Sequence, residues 1–197
     1  MAKSSVEGAM SITELPKATL KRLLEQGILL EVKEDERGKL ELITGGILVD
    51  SPPEDVYALI TDYDSYTEFM PSLAKCEVVH RSRDGRTLHV RYVLKLKFAA
   101  ISTSVKYTVK LSLDPDGYEV RWDLIKGDMK ETRGGWKLVP LDGGRRTALF
   151  YSVYSDIGSI NWITRKLVDA TPGIEVAINS STCELVLKAV KARMERG

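Results

Sequence analysis

The chain has 197 residues, 43% hydrophobic and 29% charged, the proportions of one soluble globular domain with a sizeable core, which excludes a disordered or fibrous chain. Lys and Arg number 29 against 28 Asp and Glu, a formal net charge of +1, so no global field exists to hold polyanionic nucleic acid or an anionic membrane.

In chain order, Thr13 can cap a helix over Glu14–Gln26, with Leu15, Leu20, Leu23 and Leu24 as its apolar residues and Gly27 as its stop. Ile28–Val32 then gives way to a charged turn at Lys33–Lys39, and Leu40–Asp50 returns as a β-rich segment whose Gly45-Gly46 pair predicts a bulge. Ser51-Pro52-Pro53-Glu54 reads as a capping box with proline at the first helical position, opening a short helix through Val56–Ile60. Asp62–Tyr66 offers a cap for a second short helix that ends at Pro71.

From Leu73 to Asp156 the period changes to two, with turn signals at Asp84-Gly85, Pro115–Gly117, Lys126–Asp128 and Asp142–Gly144. An antiparallel meander follows from this pattern. Ile101, Thr103, Val105, Tyr107, Val109, Leu111 and Leu113 share one face, as do Leu88, Val90, Tyr92, Leu94, Leu96 and Phe98, and Tyr118, Val120, Trp122 and Leu124. The opposite face is polar, so one apolar sheet face needs a cover.

The C-terminus supplies it. Ile160–Ala170 predicts a helix, and Thr171-Pro172 predicts the cap and first residue of a long one running to about Arg193. At 100° per residue its apolar positions span an arc of about 220°. Down the middle run Glu175, Asn179, Thr182 and Val186. Buried amides and hydroxyls without partners are costly, so a polar stripe there predicts a helix standing off the sheet over a cavity, mostly apolar with a few polar groups. The fold class is α+β, about six or seven antiparallel strands gripped by the C-terminal helix, with residues 1–38 as an accessory helix and strand and 39–197 as the ligand-binding domain.

The order strand, Ser-Pro-Pro-Glu helix, Asp62-Tyr-Asp-Ser-Tyr66-Thr-Glu-Phe69-Met-Pro71, meander, Gly134-Gly-Trp136 and long helix resembles the helix-grip superfamily of START and birch-pollen-allergen-like proteins. The resemblance covers about Leu40 to Glu195 and is closest to the coenzyme Q-binding and polyketide cyclase/dehydrase branch. It implies a curved sheet wrapped around the long helix, with two short helices after the first strand. It also implies one of two functions: binding and carrying a quinone, lipid or aromatic polyketide-like molecule, or cyclase/dehydratase chemistry on a polyketide in the same cavity.

The wall expected to hold such a ligand comprises Tyr92, Leu94, Val105, Tyr107, Trp122, Trp136, Tyr151, Cys183 and Val186, with Asn179 or Thr182 orienting its oxygen. For catalysis the resemblance asks for an interior acid or base, and the candidates are Arg133, Glu175 and Tyr92, with Glu77 opposite Tyr92 if the Asp84-Gly85 hairpin is regular. His80 and His89 would face each other in that hairpin. Their neighbours Val78, Ser82, Thr87 and Arg91 supply no third ligand, so no metal is expected, and no cofactor.

Cys76 and Cys183 are too few and too far apart for a disulfide framework or a CxxC motif. The apolar run Val56–Ile60 falls far short of the ~18 residues of a membrane span, and Met1–Ser11 lacks the apolar core of a signal peptide. A cytoplasmic protein is expected, with a hydrophobic small molecule as ligand. At most transient membrane contact through Arg81, Arg83 and Arg86 is expected, and the N-terminal helix is a place for a protein partner.

Overall fold

The computed structural model describes residues 16–98 and 101–196. Its strands are β1 (Ile28–Glu34), β2 (Leu40–Val49), β3 (Leu73–Arg81), β4 (Thr87–Phe98), β5 (Ile101–Asp114), β6 (Glu119–Gly127), β7 (Thr132–Leu141) and β8 (Arg146–Ser155). All pair antiparallel in one sheet of order β1-β2-β8-β7-β6-β5-β4-β3. The helices are α1 (Lys17–Gln26), α2 (Pro53–Thr61), α3 (Tyr66–Phe69), α4 (Trp162–Ala170) and α5 (Ile174–Glu195). The sheet has eight strands because Ile28–Glu34 pairs along almost all of β2, so the two short helices follow the second strand.

One sheet face carries the main core. Val90, Val109, Val120, Leu138 and Leu149 pack there with Val56 and Ile60 of α2 and Leu187 and Val190 of α5. Each such side chain contributes about 1.5–3 kcal/mol when fully buried. The polar face is exposed on β5, at Ser104, Lys106, Lys110 and Ser112, as the alternation predicts. At β7 and β8 it is not: Val139, Ala148 and Phe150 form a second small core closed by Leu23 of α1. The apolar position of the N-terminal helix is therefore used within the fold.

Several local expectations are corrected. The start of α1 expected at Thr13 lies outside the described residues, whereas Gly27 ends the helix as predicted, with φ of +76° and its N–H donating to the Leu23 carbonyl. The Ser51 capping box does not form. Pro52 takes the cap position, Glu54 accepts a hydrogen bond from the Tyr118 hydroxyl (2.6 Å), and the Ser51 carbonyl accepts from Thr147 Oγ1 (2.8 Å). Helix α4 starts at an Asn161 capping box, after which Thr171 closes that helix and Gly173, at φ of +79°, opens α5. The pairing of β2 with β1 and β8 runs through Gly45 and Gly46 without a bulge, and β7 runs likewise through Gly134 and Gly135.

Candidate functional site: a cavity under the C-terminal helix

A row of residues four apart fastens α5 to the β2–β8 side of the sheet. Asn179 Oδ1 accepts from the Ser155 amide (2.9 Å), and its Nδ2 donates to the Ser155 and Glu175 carbonyls (3.2 and 3.0 Å). The Cys183 thiol donates to the Tyr151 carbonyl (3.4 Å), and Lys191 Nζ to that of Leu48 (2.8 Å). Between them Cys183 and Leu187 lie over Gly45, where a Cβ would stand 2.6 Å from Cys183 Sγ and 2.6 Å from Leu187 Cδ1. Gly45 is thus a seat for the helix. Burial pushes the Cys183 thiol up to about 12.

Held tightly on that side, α5 stands off β4–β7 on the other and leaves a cavity of about 180 Å³. Ile178, Asn179, Thr182, Leu185 and Val186 form its roof. Strands β4 and β5 give Tyr92, Leu94, Leu96, Tyr107, Val109 and Leu111, and β6–β8 give Trp122, Thr132, Trp136, Tyr151, Val153 and Ser155. Tyr63 ahead of α3, Tyr66 of α3 and the segment Met70–Leu73 that follows it close one end. Ser72, Thr182 and Leu185 are exposed liners, Leu185 at 54%, and mark the mouth.

The aromatic floor is packed from stacked and tilted rings. Tyr151 stacks on Trp122 (centroids 5.4 Å, 29°) and tilts against Trp136 (4.4 Å), while Tyr92 and Tyr107 face each other across β4 and β5 (5.4 Å). Gly134 allows this: a side chain there would collide with the Trp122 indole and the Ser152 carbonyl. Thr132 Oγ1 and Ser155 Oγ share a hydrogen bond (2.9 Å), and the Thr182 hydroxyl donates to the Ile178 carbonyl of its own helix (2.8 Å).

Among the described residues no Asp, Glu, Lys, Arg or His lines this cavity. Its titratable groups are tyrosines, and desolvation holds Tyr63, Tyr66, Tyr92, Tyr107 and Tyr151 above the usual phenol range. They are neutral hydroxyls at physiological pH. The Tyr63 hydroxyl is buried without a hydrogen-bond partner.

Nine of the sequence-derived wall residues line the cavity: Tyr92, Leu94, Tyr107, Trp122, Trp136, Tyr151, Asn179, Thr182 and Val186. Val105 is fully buried beside Leu94 but outside the lining, and Cys183 belongs to the row that grips Gly45. Tyr63, Tyr66, Met129, Thr132, Ile157 and Ile178 are liners that sequence reasoning missed. Tyr66 alone carried a signal, as the tyrosine of the Asp-x-x-x-Tyr-x-x-Phe-x-Pro segment.

Of the catalytic candidates only Tyr92 reaches the cavity. Arg133 donates to the Glu41 carbonyl (2.8 Å), pairs with Glu131 and lies over the Tyr154 ring at 4.7 Å. Glu175 is half-buried outside the lining, and desolvation, then the charge of Asp156, raise its carboxyl above the usual range. A register shift between Val78 and His80 sets Glu77 opposite Arg91, with Cys76 opposite Tyr92. Glu77 therefore pairs with Lys75 (2.9 Å) and Arg91 (3.3 Å).

His80 and His89 do face each other, with ring centroids 4.8 Å apart. Among the described residues no three His, Cys, Asp or Glu converge as a metal site. In the basic hairpin tip Arg86 is committed to Asp116 (2.7 Å) and Asp114 (3.8 Å). No described helix is long and apolar enough to cross a membrane.

Residues 49–171 match the family described as polyketide cyclase / dehydrase and lipid transport. Over 103 residues the chain is 28% identical to the ribosome association toxin RatA of Vibrio cholerae, spanning 52% of this chain and 67% of that relative. The aromatase/cyclase Zhui of Streptomyces sp. R1128 superposes with a TM-score of 0.59 at 20% identity, over 79% of this chain and 94% of Zhui. The STAR-related lipid transfer protein of Xanthomonas axonopodis gives 0.62 at 17% identity, over 86% and 94%. At these identities the two structures establish the shared helix-grip fold.

Proposed function

The chain belongs to the polyketide cyclase / dehydrase and lipid transport family, and we propose that it binds, and carries or presents, an uncharged hydrophobic small molecule such as a quinone, lipid or aromatic polyketide. The observation that carries this reading is the lining itself: aromatic and aliphatic walls, hydroxyls and one amide, and no charged side chain among the described residues. Affinity would come from apolar burial, at about 25 cal/mol per Å². An apolar cavity of about 150 Å³ takes up benzene. One of about 180 Å³ seats one or two rings, with the rest of a longer ligand at the mouth. All the lining residues fall within 39–197, the proposed ligand-binding unit, and residues 1–38 are proposed as its accessory segment.

The rival reading is a cyclase or dehydratase acting in the same cavity. General acid-base chemistry needs a group within hydrogen-bond reach of the reacting atom and a pKa near the operating pH. Arg133 and Glu175 fail the first condition, and the raised tyrosines fail the second as bases. The experiment is a comparison of variants by calorimetric binding of an apolar two-ring probe. Val186→Phe, which fills the cavity from the roof, should abolish uptake. Arg133→Gln and Glu175→Gln should change affinity less than about twofold. Uptake unaltered by Val186→Phe would refute the reading, and turnover of a polyketide substrate lost in Glu175→Gln would establish the rival.

A further inference from the structure

Several polar side chains of the cavity are already spoken for. Thr132 is bonded to Ser155 Oγ, Asn179 to the backbone of Ser155 and Glu175, Tyr66 to the Ile60 carbonyl and Thr182 to its own helix. The Tyr63 hydroxyl is buried without a partner, and Tyr92 and Tyr107 remain beside it as a pair. They are direct cross-strand partners on the floor, tilted by 43° with ring centroids 5.4 Å apart. Neither hydroxyl is engaged by a protein acceptor among the described residues. Both rings are deep enough for desolvation to dominate their ionisation, yet both keep open surface, and that surface lines the cavity.

Two unspent O–H donors side by side, in a wall that holds neither cation nor carboxylate, define the chemistry that completes them. We propose that Tyr92 and Tyr107 form a paired donor site for the carbonyl oxygen of a neutral ring ketone or quinone, so that the cavity selects uncharged oxo ligands over carboxylates of the same shape. This inference rests on the binding reading above and adds to it the polar end of the ligand and its orientation, oxygen toward the β4–β5 floor. A carboxylate entering the same place would be stripped of water with no cation to meet it. A pure hydrocarbon would leave both donors unmatched.

Three probes built on one two-ring frame test it: α-tetralone, tetralin and tetralin carboxylate, titrated calorimetrically into the intact chain and into Tyr92→Phe, Tyr107→Phe and the double variant. Each single change is expected to weaken α-tetralone about threefold and the double about tenfold. Tetralin should stay within about twofold throughout, and the carboxylate should bind at least about a hundredfold more weakly than the ketone. In the infrared, the ketone C=O stretch should be lowered in the wild-type complex and return toward its alkane-solvent value in the double variant. If the double variant does not fold, the two single variants carry the same comparison. Equal losses for ketone and hydrocarbon, or an unshifted C=O stretch, overturn the paired-donor site while leaving the binding reading intact. Failure of the wild-type protein to take up either ketone or hydrocarbon overturns the binding reading itself.

Discussion

Replacing Gly45 by alanine adds one methyl group at the point where α5 touches the sheet. The backbone there is not in the left-handed region, so the change tests contact and not conformation. In an open strand it would stabilise by about 0.4–1 kcal/mol through the reduced freedom of the unfolded chain. Here the new Cβ meets Cys183 Sγ and Leu187 Cδ1 at 2.6 Å each and Leu30 Cδ2 at 3.1 Å. Ordinary carbon contacts lie at about 3.5–4.0 Å, so the helix row must retreat by about 1 Å. Overpacking of this kind costs about 1–3 kcal/mol. The net expectation is a loss of about 1–2 kcal/mol, a fall in Tm of about 2–4 °C per kcal/mol for a chain of this length. Urea unfolding followed by tryptophan fluorescence measures it. Adding Cys183→Ala removes one of the two colliding atoms, and the cycle should show coupling of about 0.5 kcal/mol or more. A Gly45→Ala protein as stable as wild type, with no coupling to position 183, would refute the claim that this glycine seats the helix.

Three further outcomes follow from the geometry. Asn179→Ala should cost about 1–3 kcal/mol, because it takes away the buried amide that pairs with the part-buried Ser155 backbone groups, and hydrogen exchange at the Ser155 amide should accelerate with it. Cys76 and Cys183, both pushed up to about 12, stay protonated thiols at pH 8, so alkylation there should run at least about a hundredfold slower than for a free thiol of pKa about 8.5. Affinity for a neutral ligand should be flat between about pH 5 and 9, because the lining tyrosines lose their protons only above the usual phenol value near 10. The raised carboxyl of Glu175 lies outside the cavity, so a midpoint in that range which vanishes in Glu175→Gln would contradict the assignment of the lining.

The parts of the fold set by local periodicity were legible in the sequence. Alternation over Ile101–Leu113 sets the inner face of β5, and the spacing of apolar residues after Pro172 predicts the long helix. What was not legible depends on contacts between distant segments. A glycine pair in a strand reads equally as a bulge or as a seat, and only the approach of Cys183 and Leu187 to Gly45, and of Trp122 to Gly134, decides for the seat. An arc of about 220° on a helix does not say which sector touches the sheet. Here the row Asn179, Cys183, Leu187, Lys191 does, which takes Cys183 out of the cavity and brings Ile178 in. The shift between Val78 and His80 moved Glu77 onto the exposed face, an outcome no hairpin rule contains, since a single extra residue flips every side chain beyond it.

The central claim is that the space under α5 holds an uncharged hydrophobic molecule. Native mass spectrometry of the purified chain, before and after incubation with α-tetralone and beside the Val186→Phe variant, tests it most directly. The account predicts a one-to-one complex, either with a copurifying neutral compound that organic extraction then identifies or with the added ketone, and none with the filled variant. A bare protein that takes up no ketone, or a complex that persists undiminished in Val186→Phe, would contradict it.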